Sequence, residues 1–250
     1  MKRGRTRHAR FGILCALDFV RRRWRCRLLP WSLASGILRP MSDGVLITFE
    51  GGEGTGKSTQ MKKLAQQFRD QGREVVVTRE PGGTPIAEAV RQILLDPALK
   101  PDGMTELFLL EAARHDHVEG LICPALERGA VVLADRFADS STVYQGFVRG
   151  LGAAVVRQLN IMATGGLEPD LTLVFDLDPD EALGRAHGRN AQDGSANRLD
   201  EEPLAFHREI RQAFLRLAEA VPKRIRVIDA TGSEDVVFDR VLAIVEAWQS

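Results

Sequence analysis

The chain has 250 residues, and its 34 basic and 34 acidic side chains give a formal net charge of zero. Residues 1–40 hold eleven Lys and Arg and one acid, so the other 210 residues hold 23 basic and 33 acidic ones, a net charge of −10. This acidic balance argues against broad binding to a nucleic-acid backbone, and no apolar run approaches the roughly 18 residues that a membrane span needs.

Residues 1–40 are rich in arginine and poor in acids, which is typical of a transit peptide or a basic tail. A secretory signal is an alternative, but no clear small-residue cleavage site follows the apolar stretch. Met41 lies just before the first predicted strand, so we expect that translation starts there or that the leader is disordered. We assign no function to residues 1–40 and predict one domain over residues 41–250.

The three cysteines, Cys15, Cys26 and Cys123, form neither a disulfide framework nor a metal-binding spacing. Such cysteine usage is typical of a reducing cytosol. We therefore predict a cytoplasmic location.

After Met41, short apolar runs alternate with longer segments of helical periodicity. Five runs rich in Val, Ile and Leu predict buried strands: Val45–Phe49, Glu74–Thr78, Ala130–Ala134, Leu171–Asp176 and Ile225–Ile228. Eight segments predict helices: Lys57–Gln71, Pro85–Leu95, Thr105–Arg128, Ser140–Gly146, Ala153–Ala163, Pro179–His187, Glu202–Ala220 and Asp235–Gln249. The alternation predicts a doubly wound α/β fold, in which helices cover both faces of a five-stranded parallel sheet.

The stretch Phe49–Gln60, FEGGEGTGKSTQ, follows the first strand and matches the phosphate-binding loop pattern G-x-x-x-x-G-K-[ST]. Glycines let backbone N–H groups surround phosphates, and the following helix N-terminus adds partial positive charge. Lys57 can reach the terminal phosphates, and the Ser58 hydroxyl can bind Mg²⁺. The motif predicts a nucleoside triphosphate site formed by Gly51, Gly52, Glu53, Gly54, Thr55, Gly56, Lys57, Ser58 and Thr59.

Several classes of protein use this loop. A guanine-nucleotide switch usually carries N-K-x-D for the base, and that pattern is absent from the sequence. A motor ATPase would be expected to end the corresponding strand in Asp-Glu, whereas AVVLADRF ends in Asp135-Arg136. An acid followed by arginine suits a second phosphate group better than a hydrolytic water.

Two further motifs lie at predicted strand ends, TREPGGTP at Thr78–Pro85 and ADRFADSSTVYQG at Ala134–Gly146, and an Arg-rich stretch occupies Arg185–Arg198. Together with FEGGEGTGKSTQ, they closely resemble the bacterial thymidylate kinases, from about Val45 to the C-terminus. The resemblance implies ATP-dependent phosphorylation of dTMP to dTDP in dTTP synthesis, with Mg²⁺, by a homodimer. A kinase for another nucleoside monophosphate and a nucleotide-dependent switch or ATPase stay open as alternatives.

The resemblance implies roles for residues around the substrate phosphate. Arg79 and Arg136 would grip the monophosphate, because two guanidinium groups at neighbouring strand ends can bind it bidentately. Asp135 would help to position Mg²⁺ together with Ser58. Glu53 would accept a hydrogen bond from the sugar 3′-hydroxyl.

The base pocket departs from the family at one position. Arg114 matches the arginine that contacts a thymine carbonyl, but one helical turn earlier this chain has Leu110 where the family commonly has a base-stacking Phe. Leu110 loses an aromatic stacking contribution of about 1 kcal/mol, and Phe108 lies two positions away. Tyr144 matches a tyrosine near the sugar C2′, and Ser141 and Gln145 would complete the substrate site.

The resemblance also implies a short lid at about residues 185–200, with a mobile loop at Gly188–Asn197. Gly54 leaves the phosphate-binding loop without the arginine that some members carry there, so a lid arginine would act instead. Arg189 and Arg185 are the preferred candidates and Arg198 is a third. A phosphate nucleophile is already anionic and needs no strong base, so we interpret the histidines, His115, His117, His187 and His207, as surface or helix residues.

Overall fold

The computed structural model describes residues 44–193 and 202–250, with the side chains of residues 189–193 outside that description. Five strands form one parallel sheet in the order β2-β3-β1-β4-β5. Their bounds are β1 Val45–Gly51, β2 Val75–Arg79, β3 Val131–Asp135, β4 Leu171–Asp176 and β5 Ile225–Asp229. The predicted strands and their parallel arrangement are confirmed, with ends shifted by at most two residues.

Helices cover both faces of this sheet, as the prediction of a doubly wound fold requires. On one face, Ile47 and Phe49 of β1 pack with Leu64 of the first helix and Val241 of the last. On the other face, residues of β1, β3 and β4 pack against separate helices in two further clusters. Because both faces are buried, the strands contain continuous apolar runs instead of alternating apolar and polar residues.

The described residues contain nine α-helices: α1 Lys57–Asp70, α2 Pro85–Leu95, α3 Gly103–His117, α4 Cys123–Glu127, α5 Ala138–Ser141, α6 Ala153–Thr164, α7 Pro179–Asp193, α8 Leu204–Ala220 and α9 Glu234–Gln249. Two π-helical segments, Val118–Ile122 and Thr142–Val148, continue α3 into α4 and extend α5.

Three predictions need correction. The predicted helix Ser140–Gly146 is α-helical only within Ala138–Ser141 and continues as the π-helix Thr142–Val148. The predicted helix Thr105–Arg128 changes to a wider π turn at Val118–Ile122, just before Pro124, whose ring nitrogen cannot donate a helical hydrogen bond. The predicted loop Gly188–Asn197 is wrong for its first part, because α7 continues through Asp193. The rest of that stretch lies outside the described residues.

The parallel arrangement places the functional motifs at one edge of the sheet. β1 leads into the phosphate-binding loop, β2 ends at Arg79, and β3 ends at Asp135. Phe49 and Arg79 are both in register with Asp135, from opposite sides of β3. Ligands of doubly wound folds bind at the carboxyl edge of the strands, so the three motifs meet where such a site is expected.

None of the helices in the described ranges combines the length and apolar character needed to cross a membrane.

Candidate active site

The phosphate-binding loop lies directly against α7. Gly54 has φ +70°, and a Cβ atom there would lie 1.9 Å from the Ala182 carbonyl oxygen. Gly51 has φ +128°, and a Cβ atom there would lie 2.6 Å from the Phe175 carbonyl oxygen. These two positions therefore require glycine for both backbone conformation and space. Gly52 differs, since the nearest atom to a Cβ there would be 3.9 Å away.

Lys57, the first residue of α1, is buried beneath this loop. Its Nζ donates hydrogen bonds to the carbonyl oxygens of Gly52 and Gly51 at 2.5 and 3.2 Å. Burial, followed by the nearby charge of Arg136, lowers the pKa of Lys57. Its third partner is the Thr55 hydroxyl at 3.5 Å, and a desolvated cation hydrogen-bonded to neutral groups favours an incoming anion.

Ser58 and Asp135, the predicted metal residues, are brought together. The Ser58 hydroxyl donates to Asp135 Oδ2 at 2.9 Å. Both side chains line the open pocket around the phosphate-binding loop. A hydroxyl and a carboxylate beside a phosphate site are the hard oxygen donors that Mg²⁺ prefers, so this pair fits the predicted ion.

Arg136 is the only non-glycine residue in the described ranges with positive φ, at +69°. Its Nη1 donates to the Gly51 carbonyl oxygen at 3.1 Å and to Ser140 Oγ at 3.2 Å, and its Nη2 donates to Glu53 Oε1 at 2.6 Å. Its guanidinium also lies 5.2 Å from the centre of the Tyr144 ring. Arg136 thus links the third strand end to the phosphate-binding loop.

Glu50 is a site residue that the sequence analysis missed. Its fully buried carboxylate accepts from the Phe137 backbone N–H at 2.8 Å and from Ser140 Oγ at 2.6 Å. It therefore fixes the turn that carries Arg136. Burial, assisted by the charge of Asp139, raises the pKa of Glu50 to about 7. The feature of the sequence that could have indicated Glu50 is an acidic residue directly after a predicted apolar strand.

Arg79 lies on the neighbouring strand end but is already paired. Its Nη2 donates to both carboxylate oxygens of Glu88 at 3.0 Å, and about half of the Arg79 side chain is exposed. Glu88 also accepts from the Gly83 backbone N–H at 3.0 Å, and this bond is the main cause of the lowered pKa of Glu88. An exposed pair of this kind is weak and can be exchanged for another anion.

Most of the residues predicted to bind phosphates line one open pocket of about 1290 Å³, which Gly51 and Gly52 do not line. They include the loop from Glu53 to Thr59 together with Arg79, Asp135 and Arg136. Arg91 of α2 also lines this pocket, and it was not predicted. Its Nη1 donates to the Pro81 carbonyl oxygen at 3.0 Å, and burial and then the charge of Arg79 lower its pKa.

A second pocket, of about 430 Å³, lies beside the first. Most of the residues predicted to bind the substrate line it: Leu110, Arg114, Arg136, Ser141, Tyr144 and Gln145. Arg136, Glu80 and Pro81 line both pockets, so the two are adjacent. Phe108 is not among the lining residues and is 57% exposed. Phe108 therefore does not replace the missing aromatic ring at Leu110.

Arg114 is buried, and its five N–H groups are all hydrogen-bonded. Nε donates to Glu80 Oε2 at 2.8 Å and Nη1 donates to Glu111 and Asn160 at 2.7 and 2.6 Å. Nη2 donates to Ser141 Oγ at 2.9 Å and, over a longer 3.3 Å, to the Phe137 carbonyl oxygen. The side chain is therefore held rigidly at the wall of the smaller pocket.

Gln145 also lines the smaller pocket, and only one end of its buried amide is bonded. Nε2 donates to Glu106 Oε1 at 2.7 Å, whereas Oε1 has no partner among the described residues. A buried acceptor without a donor is costly, so it favours a ligand that supplies an N–H group.

Tyr144 contributes to both the pocket wall and the protein core. Its ring packs edge-on against Phe206 and Phe214 and lies below the Arg136 guanidinium. Burial raises the pKa of Tyr144 to about 12, so the phenol stays protonated near neutral pH. Tyr144 therefore lines the smaller pocket and also belongs to a core cluster.

Of the three lid candidates, only Arg185 has a described side chain. Arg185 is exposed on α7 and pairs with Glu181 one turn earlier, at 2.6 Å. It is not among the residues lining the phosphate pocket. The side chain of Arg189 and all of Arg198 lie outside the described residues.

The interpretation of the histidines as surface or helix residues is incomplete. His115 and His187 are exposed, but His117 and His207 are buried although they lie in helices. His117 bonds to Glu80 and Thr78, and His207 Nε2 has no partner in the described part of the chain.

A family model described as "Thymidylate kinase" matches residues 49–241. The chain is 48% identical to the thymidylate kinase of Deinococcus radiodurans over 205 residues, which cover 82% of this chain and 98% of that protein. It is 49% identical to the thymidylate kinase of Nitratidesulfovibrio vulgaris over 209 residues, which cover 81% of this chain and 96% of that protein.

The fold is also similar to a solved structure. The crystal structure of thymidylate kinase from Ehrlichia chaffeensis matches with a TM-score of 0.65 and 31% sequence identity. The match covers 81% of this chain and 99% of that one.

Proposed function

The chain belongs to the thymidylate kinase family, and on that premise we propose that it transfers the γ-phosphoryl group of ATP to dTMP, giving dTDP and ADP. The observation that carries this proposal is the junction of the two pockets. There the buried Lys57 and the partly buried Arg136 both donate to the Gly51 carbonyl oxygen, at 3.2 and 3.1 Å. Glu53 pairs with Arg136 at 2.6 Å, and two cations that converge on one carbonyl oxygen favour further anions, which a phosphate from each pocket would supply.

In the proposed reaction, a phosphate oxygen of dTMP attacks the γ-phosphorus of ATP in line, while the bond to the bridging β,γ-oxygen breaks. The nucleophile is already anionic, so no side chain has to remove a proton. Lys57 and Arg136 would hold the two phosphates in position and neutralise the charge that develops between them. Ser58 and Asp135 would hold Mg²⁺, which would neutralise charge on the ATP phosphates.

The monophosphate would bind between the strand ends. Arg79 would exchange its exposed bond to Glu88 for the phosphate, with Arg136 on the other side and Arg91 at the wall of the pocket. Glu53, which pairs with Arg136, would accept a hydrogen bond from the sugar 3′-hydroxyl. Arg136 already donates to Gly51, Ser140 and Glu53 through Nη1 and Nη2, and its planar fork would turn part of these donors to the phosphate.

The thymine base would occupy the smaller pocket against Leu110. Thymine carries an N3–H donor between two carbonyl acceptors. The partnerless Gln145 Oε1 would accept the N3–H, and Arg114 Nη2 would exchange its long bond to Phe137 for a thymine carbonyl. Cytosine has an acceptor at N3 and would leave Gln145 Oε1 without a donor, which disfavours dCMP.

The lid, the oligomeric state and the location follow from the family resemblance. We propose that residues of about 185–200 close over the phosphates and bring Arg189 or Arg185 to the transferred group, which would exclude water and limit ATP hydrolysis. We also propose a homodimer that works in the cytoplasm.

The test is ADP release from Mg-ATP with dTMP, dUMP, UMP, CMP, GMP or AMP as acceptor. We expect strong turnover with dTMP and little without an acceptor. The Lys57→Met variant should lose at least ~100-fold in kcat. Turnover with another monophosphate in place of dTMP would identify that nucleotide as the substrate. ATP hydrolysis without an acceptor would support a switch or an ATPase.

A further inference from the structure

His117, the last residue of α3, is buried and bonded on both ring nitrogens. Its Nδ1 lies 3.1 Å from Glu80 Oε1, and its Nε2 lies 2.7 Å from Thr78 Oγ1. The other oxygen of Glu80 accepts from Arg114 Nε at 2.8 Å. A continuous string of contacts therefore connects Thr78 on β2, through the imidazole and one carboxylate, to the arginine at the base pocket.

The chemistry of the partners fixes the direction of the bonds. Glu80 accepts a charge-assisted bond from Arg114, so its carboxylate is an acceptor at both oxygens. Nδ1 of His117 must therefore carry a proton and donate to Glu80. The Thr78 hydroxyl can accept a hydrogen bond from Nε2 or donate one to it. This bond therefore forms whether or not Nε2 carries a proton.

The loop that contains Glu80 packs directly on this ring. A Cβ atom at Gly83 would lie 2.5 Å from Thr78 Oγ1 and 2.7 Å from His117 Nε2. One residue further on, the Thr84 hydroxyl donates to Asp116, the neighbour of His117 on α3. The end of α3 is thus joined to the loop that follows Arg79.

We propose that His117 is a positioning residue for the substrate base. By holding Oε1 of Glu80, it sets the orientation in which Oε2 fixes the Arg114 guanidinium at the pocket wall. Glu80 lines both pockets, so the residue that holds Arg114 also lies beside the phosphate pocket. This inference rests on the proposed dTMP kinase activity and deepens it.

Two conservative variants separate this role from simple packing. The amide nitrogen of His117→Asn can take the place of Nδ1 and keep the donor to Glu80. The amide of His117→Gln reaches the place of Nε2, keeps the contact with Thr78, and loses the donor to Glu80. Packing alone predicts no preference for Asn, whereas positioning through Glu80 predicts that Asn restores dTMP affinity and Gln does not.

The measurements are dTMP binding by calorimetry without ATP, binding of a non-hydrolysable ATP analogue, and KM for both substrates. For His117→Gln we expect the dTMP Kd and KM to rise about tenfold, with those for the ATP analogue and ATP changed by less than about twofold. His117→Asn should stay within about threefold of wild type for dTMP. His115→Ala, an exposed position on the same helix, is the control and should bind both ligands as wild type does.

A double-mutant cycle with Arg114→Lys completes the test, because Lys lacks the Nε that Glu80 holds. If His117 acts through Arg114, His117→Gln should add little to the dTMP defect of that background. Equal losses for dTMP and ATP, no preference for Asn over Gln, or fully additive losses would overturn the proposal. Failure of the wild-type protein to bind dTMP would instead refute the proposed function.

Discussion

The three arginines of the site differ in how many of their N–H groups the protein already uses. Arg114 has all five bonded, and Arg136 donates to Gly51, Ser140 and Glu53. Arg79 has one exposed partner, Glu88. Partnered donors position a side chain and remaining donors bind a ligand, so the arrangement assigns Arg136 and Arg79 to the phosphate and Arg114 to the wall of the base pocket.

Arg136→Ala should lower kcat/KM for dTMP by on the order of 100-fold or more, because a charged donor to the phosphate is lost. The ATP Kd should change far less. Arg136→Lys keeps the charge but loses the planar fork, so we expect poor recovery. Steady-state kinetics with each substrate varied would measure both effects, and unchanged dTMP kinetics in Arg136→Ala would refute the two-arginine grip.

Glu50 predicts a pH dependence of stability. Its pKa in the folded protein, about 7, is above the ordinary value of 4.5, so the folded state binds more protons than the unfolded state between these values. The free energy of unfolding should therefore fall as pH rises from about 4.5 through 7, by about 3 kcal/mol from this group. In Glu50→Gln this contribution is absent. The free energy of unfolding of the variant minus that of the wild type should therefore be higher at pH 8 than at pH 5. Urea unfolding of both proteins at both pH values measures this difference. The same difference at pH 5 and pH 8 would contradict the prediction.

Among the secondary-structure elements, the phosphate-binding loop and α7 are joined by backbone contact. Gly54 fits against the Ala182 carbonyl oxygen where no side chain can. This contact explains why position 54 carries no arginine: α7 occupies the space. It also connects the nucleotide loop to the helix that leads into the proposed lid.

Gly54→Ala should destabilise the protein by about 2 kcal/mol or more, because the added methyl group meets backbone and φ is positive. Gly52→Ala is the matched control for stability, since a Cβ there meets nothing closer than 3.9 Å. Thermal unfolding should show a lower Tm for the Gly54 variant alone. Equal Tm values for the two variants would mean that the loop moves away from α7 at little cost.

On the scale of the whole molecule, α3 and α6 carry large exposed apolar side chains. Phe108, Val155, Ile161 and Met162 are 57, 46, 47 and 72% exposed. Exposed apolar patches of this kind mark interaction surfaces. The proposed homodimer would cover them and leave the carboxyl edge of the sheet accessible.

Met162→Asp should therefore shift the protein towards a monomer, because a charge would be buried without a partner. The control is Val236→Asp, a half-exposed apolar position on α9. Light scattering after gel filtration distinguishes the two, with the control expected to keep the wild-type mass. A wild-type monomer, or a dimer that survives Met162→Asp, would contradict the proposed interface.

The phosphate side of the site could be predicted from the sequence because its residues lie in contiguous motifs at strand ends. Parallel strands bring those ends to one edge whatever the details of packing. The sequence could not show that Arg79 pairs with Glu88, or that Arg91 and His117 join the site, because those contacts depend on how helices pack across the sheet. The π turn before Pro124 was missed for a related reason, since helical periodicity alone does not separate α from π geometry.

The sequence by itself determined the fold class, the five strands and the chemistry of the phosphate-binding loop, because strand periodicity and glycine spacing are local properties of the chain. Only the tertiary structure decided which charged groups are buried together. Burial by distant segments raises the pKa of Glu50 and lowers the pKa of Lys57. Burial alone would lower the pKa of Arg114 and Arg136, but the acidic groups packed around them outweigh it and raise the pKa of both. Desolvation is a property of the packed molecule, and no short stretch of sequence carries it.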